Sequence, residues 1–223
     1  MLQAIIFDFD GVIVDSEPLH CQATQRVFSP LGGIVDSSMY LHECTGQPDL
    51  ENFRRLCSKF QLNTDEEYVK SLVQAKTNYY REILKTQAQP CAGAISLIKN
   101  AAQHYPLAIC SGSYKNEIKQ LLALIDSEDL TPYFKEVVTI EDVAVGKPDP
   151  SGYRLAATHL NALPQYCLAI EDSPAGIIAA KAAGMTVLAV TTSHPREKLS
   201  LADHCIDNLN QVTLADLNQI CYA

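Results

Sequence analysis

The chain has 223 residues, of which 47% are hydrophobic and 19% are charged, and its formal net charge is -9. This length is enough for one sizeable core, or for one core that carries a smaller inserted domain, and the composition fits a folded globular protein and does not suggest disorder. The negative charge argues against binding to nucleic acid or to an anionic membrane surface. A small anionic substrate is still compatible with it, because a bound metal and a few lysines can invert the charge of one pocket.

The cysteines and the amino terminus indicate the compartment. The eight cysteines are scattered and form no Cys-x-x-Cys pair, which predicts free, mostly buried thiols instead of a disulfide framework or a zinc site. The first residues lack a basic leader, and Asp8 and Asp10 interrupt their apolar run. No apolar stretch is long enough to cross a bilayer. We therefore expect a cytoplasmic protein, either a monomer or a weak dimer, without nucleic-acid or membrane partners.

Short apolar runs alternate with helical patterns along most of the chain. Because the runs are apolar throughout, they predict strands buried on both faces of a parallel sheet. These runs are Ala4–Phe7, Leu107–Cys110, Val137–Ile140, Cys167–Ile170 and Thr186–Val190. Helical patterns lie at about Ala94–Ala102, Lys115–Ile125, Gly152–Leu160 and Ala175–Ala183. The alternation predicts an α/β domain with a doubly wound parallel sheet, whose ligands bind beyond the carboxyl ends of the strands.

The segment from Glu17 to Leu84 breaks this alternation, because it contains helical patterns and no convincing buried strand. A long helical crossover is one interpretation. The segment is much longer than a normal connection, which favours an inserted helical cap. We therefore predict residues 1–16 and 85–223 as the α/β catalytic core and residues 17–84 as the cap.

Acidic pairs follow two of the predicted strands. Asp8 and Asp10 end the first strand with their side chains on the same side, and Gly11 then permits a sharp turn. Glu171 and Asp172 directly follow a later strand. Carboxylates that converge at one sheet edge form an oxygen site suited to magnesium. Each pair alone has a structural alternative, since the first could be a polar strand end and the second could cap the next helix.

Two further polar segments occur at strand ends. Ser111 and Gly112 lie between a strand and a helix, where backbone N–H groups can hold an anion, although simple N-capping by Ser113 is an alternative. Lys147 projects from a proline-rich loop and can balance the charge of a transferring group, or it can be a solvated loop lysine. The ordered set of acidic pair, hydroxyl, lysine and second acidic pair at four successive strand ends is not readily produced by chance.

These motifs together resemble those of the haloacid dehalogenase-like hydrolase superfamily. The segments Phe7–Glu17 and Ile170–Gly176 are similar to its β-phosphoglucomutase-like branch in particular, and Ser111 and Lys147-Pro148 match the remaining motifs. The resemblance covers nearly the whole chain, although the cap matches mainly in position and helical character. It implies a Rossmann-like core and a magnesium-dependent phosphotransfer enzyme that acts on a small phosphorylated metabolite.

The same resemblance implies a division of roles at the acidic pairs. Asp8 attacks phosphorus and forms an aspartyl-phosphate, and Asp10 protonates the leaving oxygen and then activates the incoming water or hydroxyl. Mg²⁺ is held by Asp8, the backbone carbonyl of Asp10, and Asp172, with Glu171 beside it.

The resemblance also implies the phosphate-binding and cap residues. Ser111 and the Gly112 amide hold the phosphoryl oxygens, and Lys147 neutralises charge. Four further residues are expected near the substrate or the cap, namely Asp15, His20, Gly46 and Asn116. Asp15 could brace the active-site loop against the cap or cap a helix, and His20 could contact substrate or be a structural histidine.

Residues of the cap loop distinguish a phosphatase from a mutase. β-Phosphoglucomutases place a lysine just before the cap-loop glycine and an arginine three residues after it. Here Thr45 and Asp49 occupy these positions around Gly46, although Arg54 or Arg55 could reach inward. We therefore predict a phosphatase of small phosphorylated metabolites, such as sugar phosphates, with a sugar-phosphate mutase as the alternative.

Two other activities are weighed against this prediction. A true dehalogenase is disfavoured, because attack on carbon does not need an acid–base aspartate at position 10. A receiver-like signalling module, phosphorylated on aspartate, also uses strand-end aspartates, a hydroxyl residue and a lysine around magnesium. Such a module is much shorter and lacks a cap, so it is the second alternative.

Overall fold

The computed structural model describes residues 1–45 and 48–221. The chain divides into two compact units, an α/β unit (Met1–Asp15 and Gln89–Ala223) and a helical unit (Ser16–Ala88). The helical unit begins one residue before the predicted cap segment 17–84 and ends four residues after it.

The secondary structure alternates in the α/β unit and is helical in the other unit. The strands are β1 (Ala4–Phe7), β2 (Val14–Asp15), β3 (Gln89–Pro90), β4 (Leu107–Cys110), β5 (Phe134–Val138), β6 (Cys167–Glu171), β7 (Thr186–Val190) and β8 (His204–Ile206). The α-helices are α1 (Glu17–Phe28), α2 (Ser37–Glu43), α3 (Asp49–Lys59), α4 (Glu66–Gln87), α5 (Ala94–Ala101), α6 (Lys115–Leu122), α7 (Ser151–His159), α8 (Pro174–Ala183) and α9 (Leu214–Ile220).

Six strands of the described α/β unit form a parallel sheet in the order β5-β4-β1-β6-β7-β8. Strands β1, β4 and β6 are buried along their whole length, as their apolar sequences predict. The chain adds strands to one side of β1 and then to the other, so the predicted doubly wound fold is confirmed. The carboxyl ends of β1, β4 and β6 meet at this switch point, which is where open α/β sheets bind ligands.

Strand β5 differs from its predicted bounds, since it covers Phe134–Val138 and not Val137–Ile140. Its end is set by a turn in which the backbone N–H and hydroxyl of Thr139 donate to the Asp142 carboxylate at 2.8 and 2.9 Å. This capping box begins a short 3₁₀ helix, so the strand does not continue past Val138. Two charged residues near the start of β5 interrupt its apolar pattern, so the pattern predicted only the end of this strand.

The helical unit has its own apolar core, and the residues described in it contain no strand. Helices α1 and α3 both pack against the long helix α4. The ring of Phe28 lies 5.1 Å from that of Phe53 and 5.7 Å from that of Phe60, measured between centroids. Helix α2, which the sequence did not predict separately, begins where the Asp36 carboxylate accepts a hydrogen bond from the Met39 N–H at 2.8 Å.

Two expectations from composition concern the cysteines, predicted to be free thiols, and the apolar stretches, predicted to be too short to cross a bilayer. All eight cysteines are free, and six of them are buried. Burial raises the pKa of the Cys110 thiol, near the candidate site, to about 12, so it stays protonated. Among the described residues, no helix combines the length and apolar character that a membrane span requires.

Candidate active site

Strand β1 carries Asp8 to the carboxyl edge of the sheet. The Asp8 N–H donates to the Ile170 carbonyl at 2.9 Å, which extends the strand pairing by one residue and buries the carboxylate. The chain then folds back, and the Gly11 N–H donates to the Val14 carbonyl at 2.7 Å. Asp10 lies in this turn and is partly exposed, so β1 supplies one buried and one accessible carboxylate.

The turn after β1 fits against the end of β6 only because residue 11 is glycine. Gly11 has a φ of 76°, which disfavours any side chain. A Cβ at this position would lie 1.8 Å from Oδ2 of Asp172. The Asp172 carboxylate therefore occupies the space that a side chain would fill, close to the Asp8 turn.

Asp8, Glu171 and Asp172 form a buried carboxylate cluster, in which one oxygen of each residue lies within 4.8 Å of the others. Burial and the Glu171 charge raise the pKa of Asp8 to about 7, against the opposing effect of Lys147. Burial, followed by the charges of Asp8 and Glu171, also raises the pKa of Asp172 well above its usual range. An oxygen-only donor set with excess negative charge fits a hard divalent cation such as Mg²⁺.

Lys147 is inserted into this cluster. Its Nζ lies 2.7 Å from Asp8 Oδ1 and 2.5 Å from Glu171 Oε1. Burial alone would lower the pKa of Lys147, but the Asp8 and Glu171 charges raise it above its ordinary value, so the side chain is a cation. Lys147 is therefore not a solvated loop lysine. When all three carboxylates are ionised, one ammonium leaves the cluster with a net of two negative charges.

The Glu171 carboxylate receives five hydrogen bonds. Oε1 accepts from Lys147 Nζ and, at 2.7 Å, from the hydroxyl of Tyr153. Oε2 accepts from the backbone N–H of Asp172 at 3.1 Å and from the N–H and hydroxyl of Ser173 at 3.2 and 3.0 Å. A carboxylate offers about four lone-pair positions, so the hydrogen-bonding capacity of Glu171 is filled.

At the start of α8 the helix is capped by Ser173, and not by Glu171 or Asp172. The Ser173 hydroxyl accepts the Gly176 N–H at 3.1 Å and thereby caps the helix. A Cβ on Gly176 would lie 1.7 Å from Glu171 Oε1, so this glycine lets the helix approach the carboxylate closely. Capping is thus supplied by the serine, and the Asp172 carboxylate is left for the site.

The segment after β4 holds the predicted phosphate-binding residues. The Ser111 N–H donates to the Val138 carbonyl at 3.0 Å, and the buried Ser111 hydroxyl accepts the Ser113 N–H at 3.0 Å. Gly112 is exposed, and a Cβ there would meet nothing within 4 Å. Ser113 does not cap α6, because its hydroxyl donates to Asp10 Oδ2 at 2.6 Å. This link between Ser113 and Asp10 was not predicted.

Asn116 lies on the exposed surface of α6, in its first turn. Beside it, the Lys115 N–H donates to Glu141 Oε2 at 2.8 Å, and Lys115 Nζ lies 3.1 Å from Asp142 Oδ1. A carboxylate therefore already accepts a backbone N–H at the beginning of this helix. Among the described residues, no hydrogen bond is seen between the Asn116 side chain and a predicted site residue.

His20 belongs to a polar cluster inside the helical unit. Its Nδ1 lies 2.8 Å from Nζ of the buried Lys76, and its ring stacks on Tyr80 with centroids 3.9 Å apart and planes 7° apart. Lys76 also donates to Asp49 Oδ2 at 2.8 Å. Burial and then the Lys76 charge lower the pKa of His20 to about 3, so the imidazole is neutral and its Nδ1 accepts a hydrogen bond from the Lys76 ammonium.

The remaining predicted residues have different surroundings. Asp15 is half-buried on β2 and pairs with Gln89 on β3, while Ser16 occupies the N-cap position of α1. Gly46 lies outside the described residues. Arg55 donates to the Glu43 carbonyl at 2.6 Å and lies on the exposed surface.

The loop after β7 contributes two residues that the sequence did not predict. The Ser193 hydroxyl donates to the Asp172 carboxylate, and Nδ1 of the buried His194 lies 3.2 Å from the Asp172 backbone carbonyl oxygen. A detectable signal was present, because a polar run follows the apolar strand at this point, as it does after β1, β4 and β6. Tyr153 gave no such signal, since a tyrosine in a helical pattern resembles an ordinary core residue.

Comparison with known proteins identifies the family of the chain. The sequence pattern of the family described as haloacid dehalogenase-like hydrolase matches residues 5–190. The chain is 30% identical over 214 residues to validoxylamine A 7'-phosphate phosphatase of Streptomyces hygroscopicus subsp. limoneus, covering 95% of this chain and 96% of the relative. It is 31% identical over 186 residues to fructose-1-phosphate phosphatase YqaB of Escherichia coli, covering 83% and 95% respectively.

The fold of the chain is also similar to that of solved structures. CbbY from Rhodobacter sphaeroides, in complex with xylulose-(1,5)bisphosphate, superposes with a TM-score of 0.78 at 26% identity and covers 97% of this chain and 99% of its own. β-Phosphoglucomutase from Clostridium difficile gives a TM-score of 0.74 at 25% identity, with coverage of 100% and 98%. The chain therefore belongs to the haloacid dehalogenase-like hydrolases, within their β-phosphoglucomutase-like branch.

Proposed function

We propose that this protein is a magnesium-dependent phosphatase of small phosphorylated metabolites, such as sugar phosphates, and that it works through an aspartyl-phosphate on Asp8. The observation that carries the proposal is the buried cluster of Asp8, Glu171 and Asp172 around the single ammonium of Lys147. Its excess negative charge calls for a divalent cation before a phosphoryl group can approach. Relatives named as phosphatases of phosphorylated carbohydrates support the substrate class.

The metal would be held by the carboxylates of Asp8 and Asp172 and the backbone carbonyl of Asp10, with Glu171 beside them. When bound, Mg²⁺ neutralises carboxylate and phosphoryl charge and orients the phosphoryl group for in-line displacement. Support comes from the oxygen-only donors and from the raised pKa of both Asp8 and Asp172, because a cation removes the repulsion that raises them.

In the first step, a carboxylate oxygen of Asp8 attacks phosphorus, and the bond from phosphorus to the ester oxygen breaks. Lys147, in contact with Asp8 Oδ1, favours the ionised form that can attack. Asp10 gives its proton to the departing oxygen, so the alcohol leaves neutral. Ser111 and the Gly112 amide hold the phosphoryl oxygens while they move.

In the second step, Asp10 is anionic and accepts a proton from a water molecule. That water attacks phosphorus, the bond to Asp8 breaks, and phosphate is released with Asp8 restored. The Ser113 hydroxyl, 2.6 Å from Asp10 Oδ2, stabilises the anionic form of Asp10 between the two steps.

A phosphatase is preferred to a mutase because the two distinguishing positions supply no free cation. The Asp49 carboxylate accepts from Lys76 at 2.8 Å, and the Thr45 hydroxyl donates to Glu17 at 3.1 Å. The Lys76 charge is therefore already balanced by Asp49. Without a cation at either position, a second phosphate on the substrate would be poorly held.

Phosphate release tests the function directly. The purified protein should hydrolyse p-nitrophenyl phosphate and a subset of a sugar-phosphate panel with Mg²⁺, and EDTA should abolish the reaction. With β-glucose 1-phosphate and a bisphosphate primer, phosphate release should outrun formation of glucose 6-phosphate. Faster isomerisation would establish the mutase instead, and self-phosphorylation without turnover would establish a receiver-like module.

We also propose a cytoplasmic, monomeric or weakly dimeric protein with no nucleic-acid partner. The eight free thiols suit a reducing compartment, and the net charge of -9 repels nucleic acid. Cell fractionation and sedimentation velocity test the two statements, and recovery in the membrane fraction or as a stable higher oligomer would contradict them.

A further inference from the structure

We infer that Tyr153 is a positioning residue that orients Glu171 and, through it, holds Lys147 against Asp8. The inference rests on the proposed role of Lys147 in neutralising the reacting groups. It assigns Glu171 to the anchoring of this lysine, beside the metal and not among its ligands.

The hydroxyl of Tyr153 and the ammonium of Lys147 share one oxygen. The side chain of Tyr153 is fully buried in the first turn of α7, and its hydroxyl donates to Glu171 Oε1 at 2.7 Å. The same Oε1 accepts from Lys147 Nζ at 2.5 Å. Lys147 Nζ also lies 5.2 Å from the centroid of the Tyr153 ring, which is within cation–π range. Tyr153 therefore contacts both members of the Lys147–Glu171 pair.

The two oxygens of Glu171 are held by different parts of the chain. The three donors to Oε2 belong to Asp172 and Ser173, the residues that directly follow Glu171. Oε1 is held by Lys147 and Tyr153, which lie on the loop before α7 and on α7 itself. Since Oε1 faces the lysine, the tyrosine hydroxyl fixes the direction in which this oxygen points.

The hydrogen-bonding capacity of the Glu171 carboxylate is filled, and this distinguishes its role from that of Asp172. Five donors fill the approximately four lone-pair positions of the Glu171 carboxylate, so a metal would have to displace a buried hydrogen bond to reach it. Asp172 instead accepts from the Ser193 hydroxyl and keeps capacity for a cation. Loss of the Tyr153 hydroxyl would leave Oε1 short of a donor and let Lys147 shift from Asp8.

Tyr153→Phe tests the inference, because it removes one hydroxyl and keeps the ring. We expect kcat/KM to fall about tenfold for p-nitrophenyl phosphate and for a sugar phosphate alike, as expected for loss of a charge-assisted hydrogen bond that positions a catalytic cation. Mg²⁺ affinity, measured by calorimetry without substrate, should stay within about twofold of wild type, whereas Asp172→Asn should weaken it at least about tenfold. Tyr133→Phe is the matched control, since it removes an exposed phenol that donates to Glu128 at 2.6 Å, and it should leave activity unchanged.

A double-mutant cycle separates positioning from a general structural effect. If Tyr153 acts through Lys147, Tyr153→Phe should cost less than about twofold in a Lys147→Met background. An equal loss in both backgrounds would overturn the inference. It would also be overturned if Tyr153→Phe kept wild-type kcat/KM, or if it weakened Mg²⁺ binding as much as Asp172→Asn, which would make Glu171 a ligand.

Crystal structures of wild type and Tyr153→Phe give a readout that does not depend on activity. The distance between Lys147 Nζ and Asp8 Oδ1 should lengthen beyond hydrogen-bond range in the variant, and an unchanged contact would contradict the inference. An inactive wild-type protein that nevertheless shows this displacement would refute the proposed phosphatase function and leave the positioning role standing.

Discussion

Two lysines with little exposure, the partly buried Lys147 in the α/β unit and the buried Lys76 in the helical unit, are held in different charge environments. Lys147 faces the cluster of three carboxylates, which its single charge cannot balance. Lys76 contacts the carboxylate of Asp49 and the neutral ring of His20, and its charge is balanced. The Lys147 side chain is 16% exposed and that of Lys76 is 4% exposed, so the more deeply buried lysine is the one in the structural ion pair, and burial alone does not identify a catalytic site.

The difference lies in what each cluster still needs. With its three carboxylates ionised, the carboxylate cluster has two uncompensated negative charges, which makes that state costly to fold without an external cation and suited to binding one. The Lys76–Asp49 pair is complete without any ligand. Incomplete charge balance therefore identifies the region where metal and phosphate chemistry is expected.

The largest effect is expected from Asp8→Asn. This change removes the nucleophile and should lower kcat by about 10,000-fold or more, because amide oxygen does not attack phosphorus effectively. Asp10→Asn should lose less with p-nitrophenyl phosphate than with a sugar phosphate, since a good leaving group needs little help from an acid. Phosphate-release assays on both substrates provide the comparison, and an Asp8→Asn protein within about tenfold of wild type would show that Asp8 is only a ligand.

Replacing each lysine by methionine compares the two clusters directly. Lys147→Met should lower the free energy of unfolding in EDTA by on the order of 3 kcal/mol, because the carboxylates lose their balancing ammonium, and Mg²⁺ should restore part of it. Lys76→Met should cost about 1 kcal/mol, because the Asp49 side chain is 36% exposed and remains hydrated. Mg²⁺ should not reduce that cost. Urea denaturation of both variants with and without Mg²⁺ measures this contrast, and equal responses to Mg²⁺ would remove it.

The stabilisation that Mg²⁺ provides should increase with pH. The pKa of Asp8 is about 7 in the folded, metal-free protein against an ordinary value of 3.8. Between these values the folded state binds more protons than the unfolded state, so stability from this group falls as pH rises. A cation competes with that proton, so the increase in Tm on adding Mg²⁺ should be larger at about pH 7.5 than at about pH 5. Asp8→Asn should lose most of this dependence, and a pH-independent increase in wild type would contradict the account.

A smaller effect of opposite sign is expected from His20. Its pKa is lowered from 6.5 to about 3 in the folded protein, so below pH 6.5 the unfolded state binds more protons. Stability from this group is therefore lost as pH falls through this interval. His20→Gln should flatten the acid side of a stability–pH curve measured in EDTA and leave the response to Mg²⁺ unchanged. A curve identical to that of wild type would show that His20 is not held neutral.

The strand-end part of the site could be predicted from the sequence for a definite physical reason. Asp8, Ser111 and Asp172 lie at or just after the ends of apolar runs, and the carboxyl ends of parallel strands share one edge of a sheet. The fold class followed from the same pattern. The placement of Lys147 required the loop before α7 to turn back to that edge, which the ordering of the motifs indicated.

The contacts between side chains on different elements could not be predicted in this way. Ser113 could serve equally well as a helix cap, and its bond to Asp10 depends on packing between segments 103 residues apart. The sequence alone predicts Tyr153 as an ordinary core residue, and only the structure shows that its hydroxyl donates a hydrogen bond to Glu171. Short elements such as β8 and α9 were also missed, because they offer too few residues for a periodic pattern to emerge.

The most direct test of the account is to trap the phosphorylated carboxylate of Asp8. Asp10→Asn protein should be mixed with p-nitrophenyl phosphate and Mg²⁺, because this variant should form the intermediate and hydrolyse it slowly. After a millisecond acid quench, intact-mass and peptide mass spectrometry should find one phosphoryl group on the peptide that contains Asp8, and none in an Asp8→Asn, Asp10→Asn control. Release of the first phosphate with no phosphorylated protein at any time would mean that water attacks phosphorus directly, and would contradict the account.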